Sequence, residues 1–147
     1  MEIISNSEKE TIELGKKIAS KLQKGMVVVL TGDLGSGKTK LTEGILTYFG
    51  LENEISSPTF TIVNEYYADS LNIYHFDVYR IEDEDDLYSI GFYDYLRKGI
   101  CVCEWSENIP FAIPKDAYKV TIERTENDVN ERKITLERDN IWKYFLL

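Results

Sequence analysis

Apolar residues recur along this chain with two different periods. Ser7-Glu8-Lys9-Glu10 has the form of a capping box. Leu14, Ile18 and Leu22 then return at helical spacing, and Gly25 offers an end to that helix. Met26 to Leu30 is apolar throughout, as in a strand covered on both faces. A glycine-rich turn follows, and Leu41, Ile45 and Phe49 mark a second helix closed by Gly50. Residues 59–67 and 71–79 are rich in Thr, Ile, Val, Tyr and Phe, and predict a hairpin turning at Asp69-Ser70. An acidic run, Glu82 to Asp86, leads into Leu87, Ile90, Phe92 and Leu96, which predict one or two short helices. Ile100 to Cys103 reads as another buried strand, and Ser106 to Pro114 as loop. Tyr118, Val120 and Ile122, then Ile134 and Leu136, alternate with polar residues and predict a second hairpin around Asn127-Asp128. Ile141 to Leu147 reads as an apolar tail packed on the core. The order predicts a single α/β domain over 1–147, with a mixed, partly antiparallel sheet flanked by helices.

Composition narrows the function. The 147 residues carry 17 Lys and Arg against 26 Asp and Glu, a net charge of −9, which counsels against a direct nucleic-acid-binding surface. The longest apolar run is too short to cross a membrane, and the charged start does not read as a signal peptide. Cys101 and Cys103 cannot form a disulfide framework; two apart in a strand, they read as small buried side chains on one face. The expectation is a cytoplasmic protein with no membrane association.

The strongest chemical signal is Gly32-Asp33-Leu34-Gly35-Ser36-Gly37-Lys38-Thr39, which fits G-x-x-x-x-G-K-[ST], the phosphate-binding loop. The glycines let backbone N–H groups converge on a phosphate, Lys38 reaches the β- and γ-phosphates, and the Thr39 hydroxyl suits Mg²⁺. The loop follows an apolar strand and opens a helix, whose positive end faces the anion. Such a nucleotide needs an acid to organise metal or water. Glu104 and Asp77 each close an apolar strand and are the candidates. Ser56-Ser57-Pro58-Thr59 offers hydroxyls for the γ-phosphate or metal, or is simply a stiffened turn. His75 reads as an ordinary strand side chain, and Trp105 as either core or a wall of the nucleotide site. The D-x-x-G and N-K-x-D strings of Ras-like GTPases do not occur. The arginines Arg80, Arg97, Arg124, Arg132 and Arg138 are too scattered for a small-molecule kinase. A compact ATPase remains, acting alone or inside a larger assembly.

The loop, then Ser57-Pro-Thr-Phe60, His75-Phe-Asp-Val-Tyr-Arg80 and Glu104-Trp105, come in the order and spacing of the TsaE (YjeE) family, which the chain resembles from about Thr11 to Glu107. The resemblance implies a three-layer P-loop NTPase-like fold, with ATP or ADP and Mg²⁺ as ligands. It implies work with the TsaB–TsaD protein pair, which threonylcarbamoylates adenosine 37 of tRNA. The family member hydrolyses ATP without performing the transfer, and meets tRNA only through that pair. By the same resemblance, Asp77, Glu104 and Lys38 are catalytic, and Thr39, Glu104 and Asp77 attend the metal. Thr11, Asp33, Leu34, Gly35, Ser36, Gly37, Lys38, Thr39, Lys40, Thr59 and Trp105 bind the nucleotide, with Thr11 near the adenine. Lys40 stands where many relatives have Thr, and Ser106 where Pro commonly follows Glu-Trp, which leaves the path of that loop open. Activity alone is expected to be weak, because no arginine finger is evident unless Arg80 supplies one. The competing readings are a nucleotide-gated scaffold that needs no hydrolysis and a small-molecule kinase.

Overall fold

Ser7 starts the first helix as the sequence predicts. Its Oγ accepts from the Glu10 N–H at 3.1 Å, while the Glu10 carboxylate accepts from the Asn6 N–H at 2.7 Å. The structure is a computed structural model and describes residues 1–33, 35–54, 62–69 and 71–137. Its elements run β1 (Glu2–Ser5), α1 (Glu8–Ala19), β2 (Val27–Thr31), α2 (Lys38–Tyr48), β3 (Val63–Tyr67), β4 (Asn72–Asp77), α3 (Glu84–Ser89), α4 (Phe92–Lys98), β5 (Gly99–Glu104), β6 (Tyr118–Arg124) and β7 (Arg132–Glu137). Two single 3-10 turns, Ser106–Asn108 and Pro110–Ala112, occupy the segment expected to be loop. The acidic run caps α3: the Asp83 carboxylate accepts from the Asp86 N–H at 2.9 Å, and the Asp86 carboxylate accepts from the Glu82 N–H at 3.1 Å.

Seven strands form one sheet in the order β1-β7-β6-β2-β5-β4-β3. β2 runs parallel to β5 and β6, and β4 parallel to β5. The β3–β4, β6–β7 and β1–β7 pairs are antiparallel, so the sheet is mixed and both predicted hairpins form. Alternation along the strands divides the core. Val28, Leu30, Ile73, Ile100 and Val102 pack with Leu14, Ile18, Leu41 and Ile45 of α1 and α2. Val27, Val29, Phe76, Cys101 and Cys103 face the other way, toward Leu87 and Phe92 of α3 and α4. The architecture is thus the expected three-layer α/β fold, with both cysteines buried on one face.

Two expectations need correcting. The first helix ends at Ala19, not at Gly25; Leu22 is buried by the turn that follows, and Gly25 (φ 92°) closes that turn with its N–H on the Gly99 carbonyl at 2.9 Å. The N-terminal strand β1, not anticipated, covers the edge of β7. The two helices on one face meet backbone to backbone, because a Cβ on Gly15 would strike the Leu41 carbonyl and one on Gly44 the Ile12 carbonyl. No helix among the described residues is long and apolar enough to cross a membrane. Leu34, Thr59 with its Ser-Pro segment, and the tail Ile141 to Leu147, on which expectations were placed, lie outside the described residues.

Because β2, β4, β5 and β6 are mutually parallel, their last residues Thr31, Asp77, Glu104 and Arg124 lie at one edge of the sheet. That edge is where ligands bind in folds of this kind.

Candidate nucleotide site

The glycine loop leaves β2 at this edge. Its turn closes with the Ser36 N–H on the Asp33 carbonyl at 3.0 Å. α2 begins at Lys38 behind Gly37 (φ 121°), which gives no side-chain cap. The first bond back into the loop is from the Leu41 N–H to the Gly37 carbonyl at 3.0 Å. The N–H groups of Lys38, Thr39 and Lys40, in the first helical turn, therefore have no acceptor within the helix. Gly32 has to be glycine, since a Cβ there would lie 2.5 Å from the Ile122 carbonyl and 2.6 Å from Ser36 Oγ. Ser36 Oγ is itself buried with no hydrogen-bond partner among the described residues. A loop of this form, opening a helix whose first-turn amides lack acceptors, fits a phosphate group.

Three side chains converge beside it. Lys38 Nζ lies 3.5 Å from Glu104 Oε1, and His75 Nε2 lies 2.6 Å from Glu104 Oε2. Strand alternation explains the meeting. His75, Asp77 and Glu104 share the face of Ile73, Ile100 and Val102, the face that α2 covers. Burial pushes the Glu104 carboxyl up, but the His75 hydrogen bond and the charges of His75 and Lys38 outweigh it and hold the group below its ordinary value. His75 Nδ1 is buried with no partner among the described residues.

Asp77 lies beside Glu104 in register on the neighbouring strand. Its Oδ1 accepts from the Tyr79 N–H at 2.9 Å, which fixes the turn after β4. Trp105 adopts a left-handed backbone (φ 65°), uncommon for a bulky residue. A proline at 106 would push residue 105 toward extended backbone, so Ser106 and this conformation belong together. The Trp105 ring meets that of Tyr79 at 4.8 Å, and Lys38 Nζ stands 5.4 Å from its centre.

The structure thus brings Lys38, Asp77, Glu104 and Trp105 to one place, with Thr39 exposed at the helix start and Gly35 and Asp33 in the loop. The Lys40 side chain points elsewhere, toward Glu43 at 3.2 Å and Glu8 at 3.8 Å, so only its backbone N–H is left for a phosphate. The Thr11 hydroxyl lies 2.8 Å from Ser5 Oγ and ties α1 to β1. Arg80 is exposed in the turn after Asp77. His75, expected to be an ordinary strand side chain, instead lies against Glu104 beside the loop. Arg124 and Arg132, scattered in sequence, both touch the loop. Arg124 Nη2 donates to the Gly35 carbonyl at 3.2 Å and Arg132 Nε to the Ser36 carbonyl at 2.7 Å.

Comparison with known proteins agrees with the motifs. The family model described as "Threonylcarbamoyl adenosine biosynthesis protein TsaE" matches residues 5–134. The protein named tRNA threonylcarbamoyladenosine biosynthesis protein TsaE from Bacillus subtilis is 39% identical over 127 residues, covering 86% of this chain and 78% of its own. The Rickettsia typhi protein of the same name is 36% identical over 142 residues, 96% of this chain and 97% of its own. That from Haemophilus influenzae is 41% identical over 118 residues, 76% of this chain and 75% of its own. The crystal structure of YdiB from Bacillus subtilis superposes with a TM-score of 0.75 at 31% identity, covering 99% of this chain and 90% of that one. With a family model spanning most of its length and a solved structure of the same fold, the chain belongs to the TsaE family.

Proposed function

We propose that this protein is the ATP-binding and ATP-hydrolysing component of tRNA adenosine 37 threonylcarbamoylation. In this reading it acts with the TsaB–TsaD pair and does not carry out the transfer itself. The observation that carries the reading is the meeting of Lys38 and Glu104 at the mouth of the glycine loop, with Asp77 beside them. Phosphate binding draws Lys38 from Glu104 onto the β- and γ-phosphates, and the α2 N–H groups add their positive end. Thr39, Glu104 and Asp77 are the residues to hold Mg²⁺, whose charge neutralises phosphate oxygens when bound. Mg²⁺ in such a site is held by one or two carboxylates together with phosphate oxygens and water. His75 keeps Glu104 in place. Asp77 orients the water that attacks the γ-phosphorus; the bond to the β-phosphate oxygen breaks, and ADP and phosphate leave. Trp105 flanks the nucleotide, and Thr59 adds a hydroxyl at the γ-phosphate or metal. An adenine contact from Thr11 would require its hydroxyl to give up Ser5.

Arg124 and Arg132 are engaged with loop carbonyls, so the charge that completes the transition state is expected from a partner in trans or from Arg80, exposed in the turn after Asp77. The test is hydrolysis of ATP with Mg²⁺ by the purified protein, alone and with TsaB–TsaD. A low rate that rises sharply with the pair, and that Asp77→Asn abolishes, is the expected result. Tight binding without hydrolysis in either condition would replace the ATPase with a nucleotide-gated scaffold.

A further inference from the structure

Arg124 and Arg132 stand directly opposite one another on the antiparallel strands β6 and β7. Like charges in that relation repel and weaken a sheet. Among the described residues neither guanidinium has a carboxylate within ion-pair distance. What they do share is the glycine loop, where they donate to the carbonyls of two successive residues, Gly35 and Ser36. Arg132 is itself anchored, with Nη1 donating to the carbonyls of Val129 at 2.8 Å and Glu131 at 2.9 Å. The loop leans on these strands closely enough that a Cβ on Gly35 would lie 2.5 Å from Arg124 Nη2.

A trans peptide is planar, with its C=O and N–H pointing in opposite directions. Fixing the Ser36 carbonyl on Arg132 therefore aims the Gly37 N–H away from β7. Fixing the Gly35 carbonyl on Arg124 sets the Ser36 N–H, already on Asp33, in the same way. We infer that Arg124 and Arg132 are positioning residues for the phosphate loop: they fix its Gly35 and Ser36 peptides, leaving the Gly37 N–H for a polyphosphate anion, and place beside it two positive charges that no carboxylate among the described residues pairs. The inference rests on the nucleotide reading above and extends it to the C-terminal hairpin. It also accounts for the facing arginines, because a bound polyanion supplies the negative charge that no carboxylate among the described residues brings to them.

The test is calorimetric binding of Mg²⁺–ATP to the full chain and to Arg132→Gln, Arg124→Gln and Arg124→Lys, beside thermal melting of each without nucleotide. A hydrogen bond from a charged donor predicts affinity weaker by about tenfold or more for Arg132→Gln, and a smaller loss for Arg124→Gln. Arg124→Lys, which keeps a charged donor, should recover part of that loss. Melting without nucleotide should stay close to wild type, since each Gln also relieves the repulsion between the pair. Should the wild type itself fail to bind ATP, the nucleotide reading falls and this inference with it. Wild-type binding with undiminished affinity in both Gln variants would overturn the inference alone. So would affinity losses that track equal losses in melting temperature, since the arginines would then only staple the fold. Exposed Arg124 keeps the test decisive should Arg132→Gln not fold.

Discussion

His75 Nε2 and Glu104 Oε2 lie 2.6 Å apart, joining the interior of β4 to the last residue of β5 and leaving the other carboxylate oxygen to Lys38. Burial raises the Glu104 carboxyl, and the His75 bond and the two neighbouring positive charges lower it by more, so it stays below its ordinary 4.5 in the folded chain. A depressed carboxylate lends stability that is whole above its unfolded pKa and disappears as pH falls through its folded one. For the protein free of metal and nucleotide, the denaturation midpoint should fall on acidification below pH 4.5. Glu104→Gln should flatten that fall by at most about 1.4 kcal/mol per pH unit, the effect of one proton. Equal acid slopes in wild type and variant would contradict the arrangement.

The packing of α1 on α2 makes a separate prediction. Gly44→Ala places a methyl group against the Ile12 carbonyl, backbone that cannot swing aside. The helices must part, at a cost of about 1–3 kcal/mol, an overpacking effect that outweighs the better helix propensity of Ala. Chemical denaturation reads this directly, and a stabilised variant would show that the helices are not in backbone contact.

Burial pushes the Cys101 thiol up to about 12 and the Cys103 thiol higher still. Raised thiol pKa values leave less thiolate, so at pH 8 only about 10⁻⁴ of Cys101 is nucleophilic. Iodoacetamide at that pH should leave the native protein unlabelled and add two groups once it is unfolded, by intact mass. Rapid native labelling would place these strands at the surface.

How much of this was legible in the chain depends on range. The capped start of α1, the strand–loop–helix around Lys38, both hairpins and the strand-end carboxylates Asp77 and Glu104 follow from local period and spacing. The four residues Glu2–Ser5 carry too little pattern to predict β1 and gain their structure from β7. The end of α1 is not legible locally, because Leu22 keeps the helical period while being buried by a turn. His75 opens the His75-Phe-Asp-Val-Tyr-Arg80 motif, but nothing local pairs it with Glu104, 29 residues away. Arg124 and Arg132 reach the loop across 89 and 96 residues, a relation set by strand order rather than by any local signal.

The central claim is that Lys38 and the loop around it hold a nucleotide triphosphate. Calorimetric titration of Mg²⁺–ATP into the wild type and Lys38→Ala tests it most directly. Loss of a charge-assisted contact to phosphate predicts affinity about tenfold to a hundredfold weaker in the variant. Equal affinity in the two proteins would contradict the account.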